Sequence, residues 1–221
     1  MHVLFGKIDY INLAPFHIFL KRYIAKSQFK QSIEYKKSYP SRINRLFKSG
    51  KVDAAFISSI ESRRGNFRCF DAGIVAEREI RSVLVRPGAY QRDSESATSN
   101  ALAKMLDIEG EVIIGDKALK AYLENPDAYI DLATAWYARY RLPFVFARFC
   151  VRRHSRYYRR LIEAFLRSEV KIPHYMLKRY AKRENLPLSE VRAYLELVHY
   201  RVDRHAARGL RKFLKNAPDM V

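Results

Sequence analysis

Hydroxyls and an amide close several of the apolar runs of this 221-residue chain, and their positions suggest a shared chemistry. In KIDYINLAPF, residues 7–16, a strand-like run meets Asn12 and then Pro15. In FISSIE, residues 56–61, Ser58 and Ser59 end a second run, and in SATSNAL, residues 96–102, Ser96, Thr98 and Ser99 open a helix-like stretch. Such groups at strand ends donate hydrogen bonds to anions, and the unpaired N–H groups of a helix start add to the attraction. Simpler roles compete: a satisfied loop for the serine pair and an ordinary N-cap for Ser96–Ser99. Asp116 in IIGD is the carboxylate best placed for a cleft, with helix capping as its competing role.

Other chemistries lack their residues. The six histidines, from His2 to His205, include no His-Glu-x-x-His pattern, and no metal site is expected. No glycine-rich phosphate loop or Gly-x-Ser-x-Gly elbow occurs, and no cofactor is expected. Cys69 and Cys150 have no zinc or redox spacing and read as two separate thiols in a reducing compartment. No run of about 20 apolar residues is present to span a membrane, and the N-terminus, interrupted by Lys7 and Asp9, does not read as a signal peptide. The expected location is the cytoplasm.

The elements that must hold these residues alternate. VLFGKIDYI, SIEYKKSY, VDAAFISSI, CFDAGIVAE and SVLVRPG read as strands, with helices over FHIFLKRYIAK and SRINRLFKSG, the latter stopped by Gly50. This rhythm predicts an α/β fold with parallel strands. A smaller β/α unit follows, and the strand FVFARFCVRR is expected to return the chain to the first unit. The last third reads as wholly helical. Two lobes are expected: residues 1–85 plus 150–221, and residues 86–149. Ligands of such sheets bind at the strand ends, in the cleft. The 48% apolar content supports a packed core, while the net charge of +19 favours an anionic partner. Between Arg148 and Lys215 lie 19 basic and 6 acidic side chains. Residues 177–195 have a helix–turn–helix outline, but Asn185-Leu186-Pro187 fills the turn and few side chains could read bases, so no nucleic-acid partner is expected.

Five stretches in order resemble the chorismate dehydratases of the futalosine route to menaquinone. They are DYINLAPF (9–16), PSRINRLFKSGKVDAAFISSIE (40–61), SVL (82–84) with SATSNAL, IGDKAL (115–120), and the segment from Trp136 through LPFVFARFCVRR to residue 153. The tail from Asn185 to Leu214 also matches, so the resemblance covers nearly the whole chain. It implies the two-lobed fold of the type II periplasmic solute-binding proteins, with a helical C-terminal tail. Residues 87–94 are shorter than the family pattern, which has room there for a further strand, and EREIR before Ser82 is more charged.

The resemblance also implies an activity: dehydration of chorismate to 3-[(1-carboxyvinyl)oxy]benzoate. It places catalytic weight on Asn12 and Ser82, with Ser58, Ser59, Ser96, Thr98, Ser99 and Asp116 holding substrate. No protein base is evident, which suits removal of the proton by the substrate's own side-chain carboxylate. Two rivals stay open. The sister enzyme that forms a dihydroxynaphthoate is expected to carry a histidine in its middle lobe, and none lies between His17 and His154 here. A non-catalytic carrier of an aromatic carboxylate is separated from an enzyme only by turnover. The sequence carries no signal for oligomeric state.

Overall fold

The computed structural model describes residues 3–8, 10–25, 33–89 and 91–218. The first part of the chain builds β1 (Val3–Lys7), α1 (Ala14–Ala25), β2 (Ile33–Lys37), α2 (Pro40–Lys48), β3 (Ala54–Ser58) and β4 (Arg68–Ala76). The middle holds β5 (Val83–Pro87), α3 (Ala97–Met105), β6 (Gly110–Ile114), α4 (Gly115–Glu124), β7 (Ile130–Asp131) and α5 (Leu132–Tyr140). Then come β8 (Phe144–Val151), α6 (Ser155–Arg167), α7 (His174–Glu184), α8 (Leu188–Glu196), β9 (Val198–Arg201) and α9 (Arg204–Asn216).

Two sheets result. The larger has the order β2-β1-β3-β8-β4-β9 and the smaller β6-β5-β7. The expected parallel pairing holds for β2-β1-β3 only; β8, β4 and β9 add antiparallel strands, and the small sheet is antiparallel throughout. The reason is connectivity: two strands that leave and re-enter the large sheet run against those beside them. The lobe boundaries expected at 85/86 and 149/150 fall within β5 and β8, yet β5 lies wholly in the small sheet and β8 wholly in the large one. The chain therefore crosses between sheets at residues 77–82 and 141–143.

Two further expectations are corrected. The last third is not all helix: α8 stops at Glu196, and Val198–Arg201 pairs antiparallel with the open edge of β4. Val198 turns inward while His199 and Arg201 stay exposed, a strand alternation that a helical reading of LELVHY conceals. Cys69 and Cys150 are not separate thiols. They face each other in the β4–β8 register and form a disulfide across 81 residues of sequence.

The core is aromatic. Phe16 of α1 is fully buried and meets Phe56 of β3, Phe149 of β8 and Phe165 of α6, with ring centroids 5.0, 5.8 and 5.2 Å away. Burying one such ring contributes about 2–3 kcal/mol. These contacts fix the start of α1, and with it the Asn12 segment. At the second crossing, a Cβ on Gly209 of α9 would fall 2.1 Å from the Pro143 carbonyl, so only glycine lets α9 pack there. At the outer side of β6, the shortened 87–94 segment keeps a single bridge, Gln91 to Glu111. No helix among the described residues is long and apolar enough to cross a membrane.

Candidate active site

A narrow cavity of about 80 Å³ lies where the two sheets face each other. Its polar wall comprises Tyr10, Asn12, Ser58, Ser82, Ser96 and Ser99, set among Ile8, Phe56, Ile74, Ile114 and Phe146. Among the described residues, no Asp, Glu, Lys, Arg, His or Cys lines it.

Helix starts surround this space. Asn12 and Leu13 immediately precede α1, Pro40 is the first residue of α2, Ser96 caps α3, and Gly115 begins α4; all of them line the cavity. Each start brings the positive end of a helix dipole toward the cavity.

Each wall residue has a local cause. β1 ends at Lys7, earlier than the apolar run suggests, and a 3-10 turn over Ile11–Leu13 carries Asn12 to the cavity before Pro15 enters the first turn of α1. The Asn12 carbonyl accepts a hydrogen bond from the Tyr200 hydroxyl at 2.6 Å. Ser58, at the end of β3, is locked to Asn44 of α2: its Oγ accepts from Asn44 Nδ2 at 2.9 Å, and its N–H donates to Asn44 Oδ1 at 3.1 Å. Its hydroxyl hydrogen is not used in the bond with Asn44. Ser96 and Ser99 share a hydrogen bond at 2.7 Å, and Ser96 Oγ accepts from Ser99 N–H, so the pair is both N-cap and wall.

Ser82 sits on the first crossing and is held from three sides. Its carbonyl accepts from Gly115 N–H at 2.8 Å, and its Oγ accepts from the Tyr194 hydroxyl at 3.0 Å. Just before it, Arg81 adopts φ 58°, a costly conformation for a residue with a side chain. The buried Asp131 carboxylate stabilises it by accepting from the N–H groups of Ile80 and Arg81 at 2.9 and 2.6 Å.

The structure leaves three of the expected residues outside the cavity wall. Ser59 is fully buried behind Ser58, and its Oγ meets no hydrogen-bond partner among the described residues. Thr98 Oγ1 accepts from Ile60 N–H at 3.1 Å and so ties α3 to the segment after β3. Asp116 accepts a hydrogen bond from the Tyr180 hydroxyl and lies 3.8 Å from Arg183, facing the tail.

Four tyrosines that residue patterns did not single out complete the site. Tyr10 donates to Glu95 at 2.6 Å, and Tyr180, Tyr194 and Tyr200 reach in from α7, α8 and β9. Burial pushes all four phenols above their ordinary range; the Glu95 carboxylate adds to this at Tyr10, and Asp116 adds to it at Tyr180. For Tyr194 burial outweighs the opposing hydrogen bonds of Ser82 and Asn12 and raises the phenol to about 12. All four stay neutral through the physiological range. The sequence signal available for them was slight: Tyr10 lies within DYINLAPF, and the other three recur in an otherwise basic tail.

The two-lobed architecture is shared with solved structures. An Archaeoglobus fulgidus protein superposes with TM-score 0.68 at 13% identity, covering 97% of this chain and 96% of that one. The alkanesulfonate-binding protein of Xanthomonas axonopodis pv. citri gives 0.62 at 10% identity, with 99% and 94% covered. The fold is therefore that of the periplasmic binding proteins. The chain belongs to the family described as menaquinone biosynthesis, whose model matches residues 3–111 and 97–219. It is 45% identical over 215 residues to the chorismate dehydratase of Campylobacter jejuni, covering 96% of each chain.

Proposed function

We propose that the protein is a chorismate dehydratase, a hydro-lyase of the futalosine route to menaquinone, converting chorismate to 3-[(1-carboxyvinyl)oxy]benzoate and water. The observation that carries this reading is the cavity itself, where four helix starts and several hydroxyls converge with no ionised side chain among the described wall residues. Such a wall suits a ligand with two carboxylates, because oriented N–H and O–H donors stabilise anions without a counter-ion that would neutralise them.

The reaction removes the proton from the ring carbon bearing the enolpyruvyl ether and the hydroxyl from the neighbouring carbon. That C–H bond is conjugated through a double bond to the ring carboxylate, so donors on this carboxylate stabilise the charge that develops as the proton leaves. The C–H electron pair becomes ring π density, the C–O bond breaks, and the ring becomes aromatic. The proton and the hydroxide together account for the water released.

Among the described lining residues only Tyr10 ionises at all, and its hydroxyl is committed to Glu95. The base is therefore assigned to the substrate's own side-chain carboxylate. Asn12 and Ser82 hold that carboxylate and the departing hydroxyl in register, while Ser58, Ser96 and Ser99 receive the ring carboxylate. Positioning of this kind supplies a large part of the barrier reduction in intramolecular reactions.

Ligand sites usually enclose about 300–1,000 Å³. A space of about 80 Å³ is smaller than this, so binding of a ligand with two carboxylates requires the cavity to widen. The direct test is to incubate the protein with chorismate and follow the carboxyvinyloxybenzoate by mass. Its formation is expected; tight binding without turnover would instead make the protein a carrier.

A further inference from the structure

The tail is the part of the molecule that neither composition nor the lining of the cavity explains. Its eighth helix places Tyr194 in full burial behind Ser82, and the two side chains are joined across 112 residues of sequence. A serine hydroxyl has one hydrogen to donate and accepts through its lone pairs. Here Ser82 Oγ accepts from Tyr194, as Ser58 Oγ accepts from Asn44. Both serines line the cavity, and each is supplied with a donor from behind.

We propose that Tyr194 is a positioning residue for the dehydration, donating its phenolic hydrogen to Ser82 Oγ so that the Ser82 hydroxyl hydrogen is directed at the substrate. Tyr194 lies outside the cavity lining and acts through Ser82. Asn12 contributes to the electrostatic environment of the same phenol. Tyr200, six residues further on, fixes the Asn12 backbone from the same side. Because the Tyr194 phenol keeps its proton to about pH 12, the donor is present whenever the enzyme works. The proposal rests on the dehydratase reading for its chemistry, but the hydrogen-bond direction it assigns applies to any anion bound at Ser82.

A double-mutant cycle tests it. Tyr194→Phe removes the hydroxyl and keeps the ring, and is expected to lower kcat about tenfold, the effect of a hydrogen bond worth about 1.4 kcal/mol, with KM changed less than threefold. In a Ser82→Ala background the same substitution should change kcat less than twofold, because the group it orients is gone. An equal loss in both backgrounds, or none in either, overturns the proposal. Tyr194→Met provides a second hydroxyl-free variant should the phenylalanine form fold poorly, and a thermal melt checks each. The cycle is also read by calorimetry as affinity for 3-[(1-carboxyvinyl)oxy]benzoate. Tyr194→Phe should weaken binding several-fold only when Ser82 is present, a result independent of turnover. Failure of turnover in the parent protein would count against the dehydratase reading alone, while additive losses of affinity would count against the role of Tyr194.

Discussion

Tyr10 and Glu95 join the two lobes directly: the tyrosine follows β1, the glutamate precedes α3, and the hydroxyl donates to the carboxylate at 2.6 Å. The ring of Tyr10 lies so close to α4 that a Cβ on Gly115 would stand 3.0 Å from it. The Tyr10 phenol is thus one of several contacts, with Thr98 to Ile60 and Tyr194 to Ser82, that hold the lobes together beside the cavity. A hydrogen bond to a charged group contributes about 1.5–3 kcal/mol. Tyr10→Phe is expected to favour the open form, raising KM about tenfold while lowering kcat less. Steady-state kinetics with small-angle scattering of the ligand-free protein check this; an unchanged KM and radius of gyration would remove Tyr10 as a latch.

Asn12 and Ser96 both line the cavity but are committed differently. Ser96 is engaged with Ser99 and with the cap of α3, whereas Asn12 lines the cavity from a turn whose carbonyl accepts from Tyr200. Asn12→Ala should lower kcat about a hundredfold or more, in the range of losing an oriented donor. Ser96→Ala should cost less than tenfold. Equal losses in single-turnover assays would contradict this assignment.

Alkaline pH should open the molecule before it hydrolyses or aggregates it. Tyr10, Tyr180, Tyr194 and Tyr200 each hold their proton more tightly when folded than in the unfolded chain, where tyrosine ionises near pH 10. The folded state then binds more protons than the unfolded one, so stability falls as pH rises. This contribution is complete below about pH 10 and, for Tyr194, is lost as pH climbs to about 12. Urea midpoints measured from pH 8 to 12 should decline above pH 10, and less steeply in Tyr194→Phe. A flat profile would exclude the buried tyrosines as the cause.

The Cys69–Cys150 disulfide closes a loop of 81 residues that includes the whole small sheet. The loop-entropy relation gives such a link about 4 kcal/mol. Reductant should lower the urea midpoint of the parent protein, and Cys69→Ser with Cys150→Ser should show the lowered value with no response to reductant. Equal midpoints with and without reductant in the parent would show that the link adds nothing to stability.

Local features made part of this site legible. Asn12, Ser58 and Ser96 announce themselves because an apolar run ends or a helix begins within a few residues, and such periodicity is written in neighbouring positions. Ser82 has no local signature and entered through resemblance to a family. Thr98 and Asp116 look, in sequence, like the residues beside them; only packing decides that Thr98 meets Ile60 and Asp116 meets Tyr180. The same limit hid β9, which exists because β4 offers an open edge, and the disulfide, whose cysteines become neighbours only through the register of β4 and β8. Tyr194 and Tyr200 contact partners 112 and 188 residues away, separations that no window along the chain spans.

The Tyr200–Asn12 bond also sets an order of events in the making of the protein. The group that holds Asn12 in place is translated 188 residues after it. Both sheets but for their last strand can be in place while the growing polypeptide is still attached to the ribosome. The wall of the cavity cannot be complete until β9 has emerged and docked, so a nascent or prematurely terminated chain is expected to fold broadly and remain catalytically silent.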